Sequence, residues 1–369
     1  MKQNKGKIGI KEYTAIILLT LGTKLSDDTP AIIYENAKNA GWIATLLIGF
    51  ASLIPVFFLI KVFSAHKDKN LHEVIIHLFG KFLGNFISIF LLLGGVAALT
   101  IDSAMYVDII GTMYFTKTPT IVIYAVLMTV CAYGAKRGIE QIGAVSWLLL
   151  PYLKLTLFVA LIFTFREGNK GYLFPLWGEG KLGILKASAK NVSIFADFFF
   201  LGLIAPLVTT FKDFKKGTLI ALLVVTIEIS LALVAFIMLF DYTTAEMLSY
   251  PFHETIRYIR IGFLANVETL FFPFWLVATF IRFSFYLYLS AVLLGGILKI
   301  KEFEYLIPLI TAIIVLIGYS PESPSIVLYT LRQNNLLLLS PAFMVLPPLM
   351  WLVAKIRGDF KNENVKESG

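Results

Sequence analysis

Long apolar runs separated by short polar stretches dominate the chain. Most runs approach the roughly 20 residues that a helix needs to cross the hydrocarbon layer of a membrane. They lack the period-two alternation of a transmembrane β-barrel. The pattern therefore predicts an all-α membrane protein with about ten transmembrane helices. The predicted spans are residues 10–35, 42–63, 83–114, 119–135, 143–165, 188–210, 217–240, 264–290, 304–320 and 336–355.

Two further stretches, residues 71–80 and 251–262, mix apolar and charged residues at near-helical spacing. This pattern predicts helices that lie in the membrane surface.

Composition excludes an ordinary soluble enzyme, because 58% of the residues are hydrophobic and only 15% are charged. A soluble domain carries about a quarter charged residues. We find neither a phosphate-binding loop nor a hydrolase nucleophile elbow. Cys131 is the single cysteine, so no disulfide is expected. The histidines fall in loops or surface helices away from carboxylate clusters, so we expect no metal site and no cofactor; they are His66, His72, His77 and His253.

A net charge of +8 is compatible with nucleic-acid binding, but we interpret it as the basic bias of cytoplasmic loops. With ten spans and cytoplasmic termini, most Lys and Arg residues fall in the cytoplasmic loops. Arg332 falls in an external loop on this map. The basic N-terminal stretch leads into the first span without a small-residue cleavage site, so we expect no cleavable signal peptide.

The first and sixth spans are both interrupted by residues that break helices. In span 1 the interruption is Gly22-Thr23-Lys24 and continues to Pro30, and in span 6 it includes Asp197, Gly202 and Pro206. Paired interruptions at corresponding places favour a five-plus-five inverted repeat with a binding site at the breaks. The alternative is that such residues only bend the two helices. On the first interpretation residues 1–165 form one repeat, 166–187 an external connector, 188–355 the second repeat and 356–369 a cytoplasmic tail.

Four segments together resemble the spore germination permease family, the B subunits of nutrient germinant receptors. They are Leu71-His72-Glu73-Val74-Ile75 with Leu78 to Gly84, Cys131 to Glu140, Leu173-Phe174-Pro175-Leu176 with Gly178-Glu179-Gly180, and Arg257 to Phe263 with Val267 to Leu270 and Trp275. The family is similar to permeases of the amino acid–polyamine–organocation superfamily. The resemblance implies a LeuT-like fold with broken helices 1 and 6.

The resemblance also implies a function. Such a subunit binds a small nutrient, expected to be an amino acid, and works with an A-type membrane subunit and a C-type lipoprotein in the spore inner membrane. The alternatives are a secondary transporter of the same nutrient and a purely structural anchor subunit. Membrane lipid is a further expected partner, and nucleic acid is not an expected one.

Charges inside a membrane are costly and therefore mark candidate sites. At the first break, Lys24 and free backbone N–H groups suit an anionic ligand group, with Gly22 and Thr23 beside them. The alternative for Lys24 is a pair with Asp27 or Asp28.

Because spans 1, 3, 6 and 8 surround the substrate in the permease fold, Asp197, Arg282 and Tyr286 are expected to face one cavity with Gly22 and Lys24. The alternative is a structural Asp197–Arg282 ion pair.

Asp102 and Tyr106 share a face of span 3 and are also candidates. Phe199 and Phe200 are predicted to close over a small ligand or, alternatively, only to pack. Lys154 lies in span 5, where sodium-coupled members of the fold help to form a cation site. We therefore expect the lysine to replace that cation, or else to pair with a neighbouring carboxylate.

Overall fold

The computed structural model describes residues 6–259, 268–320 and 324–360, and the regular structure in them is almost entirely helical. Thirteen α-helices lie within these residues: α1 Ile10–Gly22, α2 Thr29–Ala37, α3 Gly41–Ala65, α4 Leu71–Ile109, α5 Thr120–Arg137, α6 Ile139–Glu167, α7 Lys181–Lys190, α8 Asp197–Phe200, α9 Phe211–Met247, α10 Pro251–Tyr258, α11 Glu268–Leu298, α12 Ile307–Gly318 and α13 Pro324–Arg357. Short 3₁₀ turns connect several of them.

Seven helical stretches of the described chain are long and apolar enough to cross a membrane. Two shorter apolar stretches, Val192–Leu203 and Phe303–Gly318, accompany them. The outer surface carries large apolar side chains, such as Phe82 at 92% exposure and Leu316 at 74%. A surface of this kind suits contact with lipid, since exposed apolar area of this extent is unusual on a soluble monomer.

Helix α1 lies at the centre of the bundle. Its residues from Ala15 to Gly22 are all buried, and it packs against α6, α9 and α11. Tyr13 and Thr218 share a hydrogen bond of 2.7 Å between their hydroxyl oxygens, which ties α1 to α9. An apolar helix surrounded on all sides is buried in protein, and α1 is such a helix.

A short helical segment precedes the long part of α4. Asn70 and Glu73 begin it with a capping box, in which each side chain accepts the other's backbone N–H, at 3.0 and 2.8 Å. Gly80 then interrupts the helix with a φ of +78°, a conformation that glycine adopts without steric cost. Residues 71–79 thus form a separate helical segment where we predicted a surface helix. The second predicted surface helix corresponds to α10, and its residues 260–262 lie outside the described part.

The last long helix begins earlier than its apolar run. Span 10 was predicted from residue 336, whereas α13 begins at Pro324. The polar residues from Arg332 to Asn335 lower the hydropathy of this part of the chain, so the apolar pattern alone starts the helix after them. The placement of Arg332 in an external loop is therefore wrong, because it lies within α13 and is only 5% exposed. Three predicted parts lie wholly or partly outside the described residues: the tail 356–369 beyond residue 360, the start of span 8, and residues 260–263 and 267 of the fourth family segment.

Candidate functional site

The first helical interruption separates α1 from α2. The helix ends at Gly22, passes through one 3₁₀ turn from Thr23 to Leu25, and resumes at Thr29. Asp27 Oδ1 accepts the backbone N–H of Thr29 at 2.8 Å, and Pro30 occupies the first turn of α2. Side-chain acceptors and proline at a helix start are the expected local chemistry. The sequence from Ser26 to Pro30 thus starts a new helix inside the bundle.

A second irregular stretch runs from Val192 to Leu207. It contains three 3₁₀ turns and only one short α-helix, Asp197–Phe200. Gly202 and Pro206 lie in its second half. Such irregular backbone at membrane depth is tolerated where it is buried in protein or borders a cavity.

Lys24 and Asp197 connect the two irregular stretches. The Lys24 ammonium donates to the backbone carbonyl of Ile194 at 2.6 Å and forms an ion pair with the Asp197 carboxylate. The hydroxyl of Tyr286, on α11, donates to the other oxygen of Asp197 at 2.6 Å. The Asp197 carboxylate of α8 is therefore held between α11 and the first break.

Arg282 lies beside this group and is fully buried. Its guanidinium forms an ion pair with Asp102 and donates to Tyr106 Oη at 2.7 Å and to Asp27 Oδ2 at 3.3 Å. Tyr106 in turn donates to the backbone carbonyl of Thr23 at 2.6 Å. Arg282 therefore joins α11 to α4 and to the first break.

Arg332 of α13 completes the charged cluster. It contacts Asp27 Oδ2 at 2.9 Å and Asp28 Oδ1 at 2.5 Å, and it donates to Thr29 Oγ1 at 2.7 Å. Asp27 thus pairs with both Arg282 and Arg332.

The buried cluster combines three cationic side chains with four carboxylates: Lys24, Arg282, Arg332, Asp27, Asp28, Asp102 and Asp197. With every group ionised, the cluster has one negative charge in excess. A buried charge needs a partner, so either a proton on one carboxylate or a further cationic group balances the cluster.

A cavity of about 90 Å³ borders this cluster. A cavity admits one water from about 10–15 Å³ upward, so this one has room for several waters or a small organic molecule. One end is charged, and the remainder is mostly apolar. The charged and tyrosine lining residues are Lys24, Asp102, Asp197, Tyr286 and Arg332, and the main apolar ones are Leu91, Leu92, Ala98, Leu99, Phe200, Leu203, Leu289, Leu293, Leu336 and Leu339.

Of the ten candidate ligand residues, five line this cavity: Lys24, Asp102, Asp197, Phe200 and Tyr286. The expectation that Gly22 and Arg282 border the same cavity is wrong. Gly22 and Thr23 border a separate cavity of about 20 Å³, and Arg282 lies behind Asp102. Tyr106 and Phe199 are likewise buried in the surrounding packing.

Both alternative pairings proposed from the sequence are also wrong. Lys24 pairs with Asp197 and not with Asp27 or Asp28, while Arg282 pairs with Asp102 and Asp27. The physical reason is the fold of the two irregular stretches. Lys24 points toward the second stretch, whereas the two following aspartates, beyond the 3₁₀ turn, meet α11 and α13.

Lys154 forms an ion pair with Glu228 of α9 at 2.5 Å, and its ammonium lies 3.5 Å from the carbonyl oxygen of Leu18. The structure thus has the carboxylate pairing that the sequence left open. A methyl group added at Gly22 would come within 3.1 Å of the ammonium, so the pair lies directly against the end of α1.

Sequence reasoning missed Asp27, Asp28 and Arg332 as members of the site. The two aspartates were considered only as partners of Lys24. The signal for Arg332 was present, since Arg332-Gln333-Asn334-Asn335 interrupts an apolar run. The statement that the histidines lie far from carboxylates is wrong for two of them, because His66 and His77 converge on Asp359.

Comparison with known proteins shows the family to which the chain belongs. A family of spore germination proteins, the spore permeases, matches residues 12–326. The chain is 20% identical to spore germination protein B2 of Bacillus subtilis, covering 71% of each chain, and 24% identical to spore germination protein KB of the same organism, covering 81% of this chain and 80% of the relative. It is 21% identical to spore germination protein XB of Bacillus anthracis, covering 79% of this chain and 82% of that one.

A solved structure, that of MhsT in complex with L-phenylalanine, has the same fold. The TM-score is 0.64, and the match covers 94% of this chain and 97% of that chain at 12% sequence identity. The chain therefore belongs to the spore germination protein family, and it is an integral membrane protein with a LeuT-like fold.

Proposed function

We propose that this protein is the nutrient-sensing subunit of a spore germinant receptor, and that it binds a small amino acid in the cavity between the two irregular stretches. One observation carries the proposal: the Lys24–Asp197 pair and Tyr286 border a cavity whose other walls are apolar. A site of this kind fits a molecule with a charged end and an apolar end.

The two ends of the cavity define the ligand class. Asp197 and Asp102 are acceptors for an ammonium group, and Lys24 and Arg332 are partners for a carboxylate. The leucines of α4 and α13, with Phe200, surround the remaining space. The ligand is thus a zwitterion with an apolar side chain, and its ammonium and carboxylate groups each have oppositely charged partners in the cavity.

The architecture that supports this site has ten spans in two inverted repeats of five. The interrupted pair α1–α2 is the first span, and α3, α4, α5 and α6 complete the first repeat. Residues 192–203, α9, α11, the stretch 303–318 and α13 form the second. This arrangement has broken helices 1 and 6 and puts both termini on one side of the membrane, and the distribution of Lys and Arg favours the cytoplasmic side.

Signalling follows from differential affinity. A ligand that binds one packing of the two irregular stretches better than another shifts the population toward it. The Lys24–Asp197 pair connects these stretches, so a ligand that competes for either group alters their packing. The changed surface acts on the A-type and C-type partner subunits in the spore inner membrane.

A strain that lacks the protein tests the proposal. It should lose its germination response to one class of amino acids while its vegetative growth on those amino acids stays normal. A growth defect with normal germination would overturn the sensor function.

Secondary transport is the second candidate, because a site between two interrupted helices is the arrangement that alternating access uses. Uptake of radiolabelled amino acid into liposomes that contain the purified chain distinguishes it from sensing. Amino-acid binding to the purified chain excludes a purely structural anchor.

A further inference from the structure

Three side chains that commonly bind metals meet on the side of the bundle where α3 and α13 end. His66 follows α3, His77 lies in the helical segment 71–79, and Asp359 follows α13. Asp359 Oδ2 lies 3.2 Å from His66 Nε2 and 3.3 Å from His77 Nε2. The cluster shares no residue with the ligand cavity.

The hydrogen bonds around the cluster leave His66 Nε2 and Asp359 Oδ2 available to a further ligand or ion. His66 Nδ1 lies 2.9 Å from the backbone carbonyl oxygen of Val62, so Nδ1 carries the hydrogen and Nε2 presents a lone pair. A metal-binding histidine usually donates its second N–H to such a carbonyl. Asp359 Oδ2 is buried and accepts no hydrogen bond from the residues described. A buried carboxylate oxygen without a hydrogen bond is costly, and a cation placed between it and the two imidazole nitrogens removes that cost.

The two histidine–carboxylate distances fit a tetrahedral metal ion. Zn–N bonds of about 2.0–2.1 Å imply about 3.3 Å between neighbouring ligand atoms, and the two measured separations are 3.2 and 3.3 Å. All three ligand atoms lie within 4.8 Å of one another. The His77 side chain is 36% exposed, which provides a path for entry from solvent.

We propose that His66, His77 and Asp359 bind Zn²⁺ or a similar divalent transition metal. Two imidazoles and one carboxylate select such an ion over Ca²⁺ or Mg²⁺, which prefer oxygen ligands. The remaining coordination position takes water or a group from a partner. The bound ion fastens the end of α13 to the segment 71–79, and α13 also carries Arg332 of the ligand cavity.

The test uses the full chain, purified with a tag that contains no histidine and held in detergent or a lipid nanodisc. Zn²⁺ content after dialysis and the affinity in competition with a chelating dye are measured for the wild type and for Asp359→Asn and His77→Ala. Asp68→Asn is the matched control, because Asp68 is an exposed carboxylate in the loop that contains His66. The visible absorption of bound Co²⁺ reports the geometry of the site independently.

The wild type and Asp68→Asn should bind one Zn²⁺ per chain, unaffected by excess Mg²⁺. Asp359→Asn and His77→Ala should lose at least about tenfold in affinity. Size-exclusion profiles and thermal unfolding without metal establish that the variants are folded. If either variant is unfolded, His77→Gln and Asp359→Ser replace it. Equal Zn²⁺ binding by the wild type and the folded ligand variants, or none by the wild type, overturns the proposal.

Discussion

The ammonium of Lys24 and the carboxylate of Asp197 form an ion pair across the two interrupted parts of the chain, with Tyr286 donating to the same carboxylate. The two residues are 173 positions apart in the sequence. The pair is therefore both a tie between the two breaks and the charged end of the ligand cavity.

Asp197→Asn should weaken amino-acid binding while preserving the size of the side chain. Hydrogen bonds to a charged group contribute about 1.5–3 kcal/mol, so the Kd should rise about 10- to 150-fold. Calorimetric titration of the purified chain measures this change. Glu167→Gln is the control, since Glu167 is an exposed carboxylate far from the cavity. An unchanged Kd in folded Asp197→Asn would show that Asp197 does not contact the ligand.

Two adjacent alanines of α4 test the apolar end of the cavity. Ala98 lines the cavity, whereas Ala97 is exposed on the outer surface. Ala98→Phe fills the space, and overpacking of this kind costs about 1–3 kcal/mol. It should raise the Kd of a leucine-sized ligand more than that of an alanine-sized one. Ala97→Phe should leave both values unchanged, and equal effects of the two substitutions would contradict the assignment of this end.

Arg282 should matter mainly for stability. Its guanidinium is fully buried against Asp102 and Asp27, so Arg282→Ala leaves uncompensated carboxylates. The expected loss in unfolding free energy is about 3–5 kcal/mol. Arg282→Lys keeps the charge but loses the planar fork, so a smaller loss is expected. Thermal unfolding in detergent measures both. A ligand-binding defect in a chain of normal stability would instead indicate direct contact with the ligand.

The Lys154–Glu228 pair gives a prediction about cations. If the lysine replaces a bound cation, ligand binding in Na⁺ and in choline buffers should be equal. Lys154→Met leaves Glu228 unpaired and should cost about 1–3 kcal/mol, because the lysine is partly exposed. Adding Glu228→Gln should recover most of that stability. A strong dependence of wild-type binding on Na⁺ would reject the replacement.

The topology predicts that both termini are cytoplasmic. A tag placed after Gly369 should resist external protease in sealed protoplasts and be cleaved after lysis. Cleavage in intact protoplasts would require an odd number of spans or the opposite orientation.

Periodicity and composition alone determined that this is a helical membrane protein, since about 20 apolar residues have few alternatives to a spanning helix. Local chemistry also marked the first break, because Gly22 and the run from Ser26 to Pro30 end one helix and begin another. The intramembrane charges could be recognised as candidates for the same reason that they are costly.

The partners of those charges depended on the tertiary structure. Lys24 pairs with Asp197 and Arg282 with Asp102 because the packing of α4, α8 and α11 decides which side chains meet. The burial of Arg332 could not be predicted, because it depends on contacts with Asp27 and Asp28, which are about 300 residues away in the chain. The convergence of His66 and His77 on Asp359 likewise arises only when the end of α13 packs beside the segment 71–79.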